Sequence, residues 1–68
     1  MAAHVYKMIK LVGTSPKSIE DAVNNALASK AAKKPADQKW FQVLETRGAI
    51  KDGKVVEWQV TVKVGCIS

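Results

Sequence analysis

The chain has 68 residues, room for one domain, read as spanning 1–68, whose core alone supplies only about 3–5 kcal/mol. Lys and Arg total 11 against 6 Asp and Glu, a formal net charge of +5 with pI ≈ 9.6, which suits anionic partners but is explained more plainly by solubility. A single cysteine, Cys66, excludes an internal disulfide, and His4 with Cys66 cannot furnish a tetrahedral zinc site. The carboxylates Glu20, Asp21, Asp37, Glu45, Asp52 and Glu57 lack calcium-loop spacing. No run approaches the roughly 18 apolar residues of a spanning helix, and the stretch from Met1 to Lys10 does not read as a signal peptide, so no membrane is expected and the expected compartment is the cytoplasm. With disulfide and metal set aside, association of copies is the remaining route to stability.

His4 to Val12 reads as the first strand. Its apolar residues fall on both parities, Val5, Ile9 and Leu11 on one and Tyr6, Met8 and Val12 on the other, so both faces are expected to be covered, one of them by a partner subunit. Gly13-Thr14-Ser15-Pro16 then breaks the strand. Ser15 suits a helix N-cap with Pro16 at the first helical position, and Ser18 with Asp21 offers an alternative cap. Ile19, Ala22, Val23, Ala26 and Leu27 follow at amphipathic-helix spacing. Glu20 and Asp21 in the first turns, and Lys30, Lys33 and Lys34 in the last, match the helix dipole, and Pro35 is expected to end the helix.

Lys39 to Ile50 and Val55 to Cys66 read as two strands joined at Asp52-Gly53, a hairpin signal. The last strand alternates Val56, Trp58, Val60, Val62 and Val64 against Glu57, Gln59, Thr61 and Lys63. With a two-residue turn Ile50 faces Val55, Phe41 and Val43 join the valine-rich face, and Trp40, Gln42, Leu44 and Thr46 share the face of Gln59. Gly48 is a candidate bulge that would shift this register. The fold class is therefore α+β, in the order β-α-β-β, a three-stranded antiparallel sheet packed on one helix.

Catalysis finds little footing, and no enzyme activity is expected. Thr14, Ser15 and Ser18 have no histidine–acid partner set, His4 stands alone near a terminus, and Cys66 has no activating neighbour. The lysines are spread over every element, with Lys30, Lys33, Lys34 and Lys39 as one cluster next to a single aromatic, so no nucleic acid is expected as partner. Trp40 offers a flat indole platform, and the Gln59 amide carries both a donor and an acceptor for a ring edge that alternates C=O and N–H. Together they suit a flat heteroaromatic ligand, although an interface tryptophan beside a surface glutamine fits the pattern too.

Val5-Tyr6-Lys7-Met8-Ile9-Lys10-Leu11-Val12-Gly13-Thr14-Ser15-Pro16, then Trp40-Phe41-Gln42-Val43, Arg47-Gly48, Gln59-Val60 and Val64-Gly65, resemble the dodecins of bacteria over nearly the whole chain. That resemblance implies a hollow homododecamer, a flavoprotein that holds stacked flavins between subunits for storage and photoprotection. It implies that Trp40 stacks on the isoalloxazine, that Gln59 bonds its pyrimidine edge, and that Arg47 supports the site. The implied cofactor is FMN, or riboflavin or FAD, with coenzyme A taken up at a separate site in some relatives. Two departures stand out: Lys39 replaces an acidic residue, which either alters contacts to the ribityl chain or favours a phosphorylated flavin, and Cys66-Ile67 replaces Phe-Arg. They motivate the alternative of a coenzyme A-binding or purely structural shell.

Overall fold

A computed structural model describes residues 5–29, 31–32 and 34–67. Strand β1 spans Tyr6–Ser15, helix α1 Ile19–Ala28, and strands β2 and β3 Gln38–Lys51 and Lys54–Ile67; a short 3-10 turn, Pro35–Asp37, leads into β2. The strands form one antiparallel sheet in the order β1-β3-β2, with the valine-rich β3 at its centre. This is the expected β-α-β-β architecture. The hairpin turn is also as expected: Asp52 and Gly53 both take positive φ, 53° and 77°, the pair of left-handed residues a tight two-residue connection needs.

The helix lies across β1 and β3. Ala22, Val23 and Ala26 meet Val60, Val62, Val64 and Cys66 in the core, flanked by Ile9, Leu11, Leu27 and Trp58. Close approach is built into β1: a β-carbon at Gly13 would collide with the Ala22 carbonyl oxygen.

Of the two candidate N-caps the structure uses the second, and the far end of the helix departs from the sequence expectation. Ser18, not Ser15, is the N-cap, and its hydroxyl accepts from the Asp21 N–H at 3.0 Å. The strand runs on through Gly13 and Thr14, and Ser15 ends it, buried, donating to Asp21 Oδ2 at 2.6 Å and accepting from the Lys17 N–H at 2.9 Å. At the other end Ser29 closes the helix well before Pro35, since its N–H and hydroxyl both donate to the Ala26 carbonyl, at 3.2 and 2.8 Å. The last turn therefore carries no basic residue. Lys34 lies beyond the helix, ahead of the 3-10 turn, and His4, Lys30 and Lys33 lie outside the described residues.

The β2–β3 register holds three irregularities. Lys39, Leu44 and Val56 are each an extra residue without a partner opposite, between Gln38 and Trp40, Val43 and Glu45, and Ala49 and Ile50. Each extra residue inverts the alternation of its strand relative to its neighbour. The expected register is right from Trp40 to Val43 and again at Ile50, but residues 45–49 sit one step away from it.

Candidate functional site

The register sorts the side chains of the sheet into two faces. The helix side carries Val60, Val62, Val64 and Cys66, with Phe41 and Val43 opposite Val64 and Val62. The open side carries Glu57, Gln59, Thr61, Lys63 and Gly65 of β3, Tyr6, Met8, Lys10 and Val12 of β1, and Trp40, Gln42 and Arg47 of β2.

Trp40 stands opposite Gly65, and the missing side chain there is what receives the indole. A β-carbon at Gly65 would collide with Trp40 Cε2, while Nε1 and Cζ2, two of the three ring atoms bonded to Cε2, would each lie 2.6 Å away. Both neighbours lie equally far and farther than Cε2, as they do when the ring lies with its face, not its edge, on the strand. One face of the indole is thus spent on the sheet backbone, and the residue as a whole stays 45% exposed. An outward-facing indole of this kind presents a rigid stacking surface at little entropic cost.

Gln59 lies on the same face, and its Nε2 donates to Glu57 Oε1 at 3.1 Å, which orients the amide. Arg47 is directly opposite Gln59. The sequence-derived register put Arg47 on the other face and Thr46 beside Gln59. The structure corrects both: the extra residue Val56 shifts the ladder by one, so Arg47 joins Gln59 while Thr46 faces Val60, and the extra residue Leu44 restores the register before Trp40 is reached. Arg47 makes a long ion pair with Glu45 at 3.9 Å, with side chains 67% and 61% exposed, too solvated to fix either group. Lys39, exposed, is the unpaired residue next to Trp40.

The two candidate ligand contacts are not adjacent within one chain. Trp40 pairs with Gly65 and Gln59 lies six residues back along β3, roughly 20 Å at about 3.3 Å per residue. At that separation the indole and the amide of one chain stand well apart on the open face. Among the described residues no cluster of His, Cys, Asp and Glu could hold a metal, and Cys66 is buried, its thiol turned to the Val64 carbonyl oxygen at 3.8 Å. Among the described residues no helix is long and apolar enough to cross a membrane.

The family model for dodecin matches residues 5–67. The chain belongs to the dodecin family. It is 46% identical over 61 residues to the dodecin of Thermus thermophilus, covering 90% of this chain and 87% of the relative. Among solved structures it resembles the dodecin from Streptomyces davaonensis, at TM-score 0.85 and 37% identity over 98% of this chain and 97% of that one. The dodecin from Streptomyces coelicolor gives TM-score 0.85 at 40% identity, covering 100% of this chain and 96% of that one. The dodecin fold therefore accounts for the sheet, the helix and the long hairpin together.

One feature of the open face escaped the sequence reading, the opposition of Lys10 and Lys63 across β1 and β3; the pairing of Trp40 with Gly65 is the one the two-residue turn implies. Parity alone places both lysines outward, between core residues on either side. Their meeting depends on a long-range register that no local pattern carries.

Proposed function

We propose that this chain assembles into a homododecamer that stores flavin and quenches its photochemistry, with FMN as the ligand held between copies. The carrying observation is the geometry of the open face: an indole laid flat on Gly65 with its other side outward, and Gln59 on the same face but well apart from it. Trp40 of one copy stacks on the ring, and Gln59 of a second copy pairs with its pyrimidine edge. Arg47, opposite Gln59, supports that edge contact, and Lys39 beside Trp40 attracts the anionic tail. Flavin, when bound, would bring redox and light-absorbing chemistry, and the Trp40 indole would lend the excited ring an electron and take it back. The residues gathered here stack, hydrogen-bond and attract charge, so the assigned role is binding without turnover, in the cytoplasm.

Assembly is supported by what a lone chain leaves uncovered. Its buried side chains are small, chiefly valine and alanine, while Trp40, Phe41, Leu44, Ile50 and Met8 are exposed. The Cα radius of gyration is 13.9 Å, against about 11 Å for a compact chain of this length.

The test is to denature freshly purified protein and identify what it releases, then to titrate FMN into the stripped protein and into Trp40→Ala. Released flavin, and quenching that Trp40→Ala loses while keeping its assembled mass, is the expected result. Release of coenzyme A alone, or equal FMN binding by Trp40→Ala, would overturn the assignment.

A further inference from the structure

Lys10 and Lys63 stand directly opposite each other on β1 and β3. Ile9 and Leu11 pack on the core, and Val62 and Val64 are buried, so both lysines project from the open face. Gln42, opposite Lys63, completes the row on β2. The next row along, about 7 Å away at two residues of strand, holds Met8, Gly65 and Trp40.

Two ammonium groups facing each other across an antiparallel ladder repel. Neither is relieved by a carboxylate: the one ion pair among the described residues joins Arg47 to Glu45. Lys39, the extra residue next to Trp40, adds a third cation at this end of the sheet. A phosphate dianion between Lys10 and Lys63 converts the repulsion into two charge-assisted hydrogen bonds, and lysine suits phosphate as a compact point charge.

We infer that Lys10 and Lys63 form a phosphate subsite adjoining the Trp40 indole, which selects the phosphate monoester of the flavin over the uncharged riboflavin. This rests on the flavin reading above. Trp40 holds the ring, Gln42 lines the path between ring and phosphate, and the lysine pair fixes the phosphate one row away. The phosphate adds affinity that a free ring lacks, and that added part is electrostatic and falls with salt.

FMN and riboflavin carry the same ring, so fluorescence titrations of both against stripped, assembled protein separate stacking from phosphate recognition. At low salt FMN is expected to bind more tightly by about tenfold or more, as two charge-assisted hydrogen bonds allow. The margin should shrink as salt rises, while riboflavin affinity stays constant. Inorganic phosphate should compete with FMN and leave riboflavin binding unchanged. The double variant Lys10→Gln/Lys63→Gln is expected to bring FMN down to the riboflavin level, and Lys10→Arg/Lys63→Arg to keep the preference. If the double Gln variant does not assemble, the single variants, each retaining one cation, are expected to lose part of the margin. Equal affinity of the wild type for both ligands overturns the subsite and leaves the flavin reading standing. A preference untouched in the Gln variants overturns its assignment to these lysines. Quenching of neither ligand by an assembled protein overturns the flavin reading and the subsite with it.

Discussion

At the scale of single residues, the decisive contact is Trp40 on Gly65. The aromatic ring is placed by an absence: only a residue without a β-carbon leaves room for the indole face on the strand. Gly65→Ala should therefore push the ring off the sheet, at a stability cost of roughly 1–3 kcal/mol from overpacking. FMN quenching is expected to weaken in that variant even though Trp40 and Gln59 are both retained, and a titration beside a thermal melt checks both parts. That Trp40 and Gln59 share one face was legible in the sequence, because the alternation of β3 and the Asp52-Gly53 turn fix it. Arg47 was not, since its face depends on Val56 and Leu44, ordinary apolar residues that give no local sign of standing unpaired in the ladder. Gly48, the residue that invited a bulge, lies next to the shift at Ala49–Ile50 rather than at it.

At the scale of elements, order and type were readable and ends were not. The Asp52-Gly53 turn and the alternation of β3 from Trp58 to Val64 are strong local signals and both are realised, while Val56, expected on the valine-rich face, stands as an extra residue in the ladder. The helix boundaries turn on competition between serines. Ser15 is drawn into the sheet opposite Trp58 and spends its hydroxyl on Asp21, which leaves Ser18 to cap. Ser18→Ala is accordingly expected to cost about 1 kcal/mol and to lower the melting midpoint by roughly 4–8 °C if the chain melts as a unit. Ser29 ends the helix through a doubly bonded Ala26 carbonyl, a feature with no strong sequence signature, whereas Pro35 was the conspicuous but later breaker. A midpoint unchanged in Ser18→Ala would mean that the helix start is held by Ser15 and Asp21 instead.

At the scale of the whole molecule, the chain is an incomplete body. Its helix side keeps an apolar groove between Ile19, Val23 and Leu27 of α1 and Phe41 and Val43 of β2, and its open side exposes Met8 and Val12, the latter at 62%. The mixed parity of β1 foretold this, because one set of apolar residues enters the core and the other remains outside. Copies of the chain are the proposed cover for both surfaces, and burying a charge there is costly. Val12→Glu should reduce the assembled mass seen by light scattering and make the melting midpoint depend on protein concentration. An unchanged mass would place Val12 outside the contacts between copies.

Stacking on Trp40 within an assembled protein is the claim on which storage, quenching and the phosphate subsite all depend. It is tested most directly by titrating ligand-stripped, assembled protein into FMN and following the flavin fluorescence. The account predicts strong quenching that saturates near one flavin per subunit. Fluorescence left undiminished by an intact oligomer would contradict it and return the open face to a structural or coenzyme A-binding role.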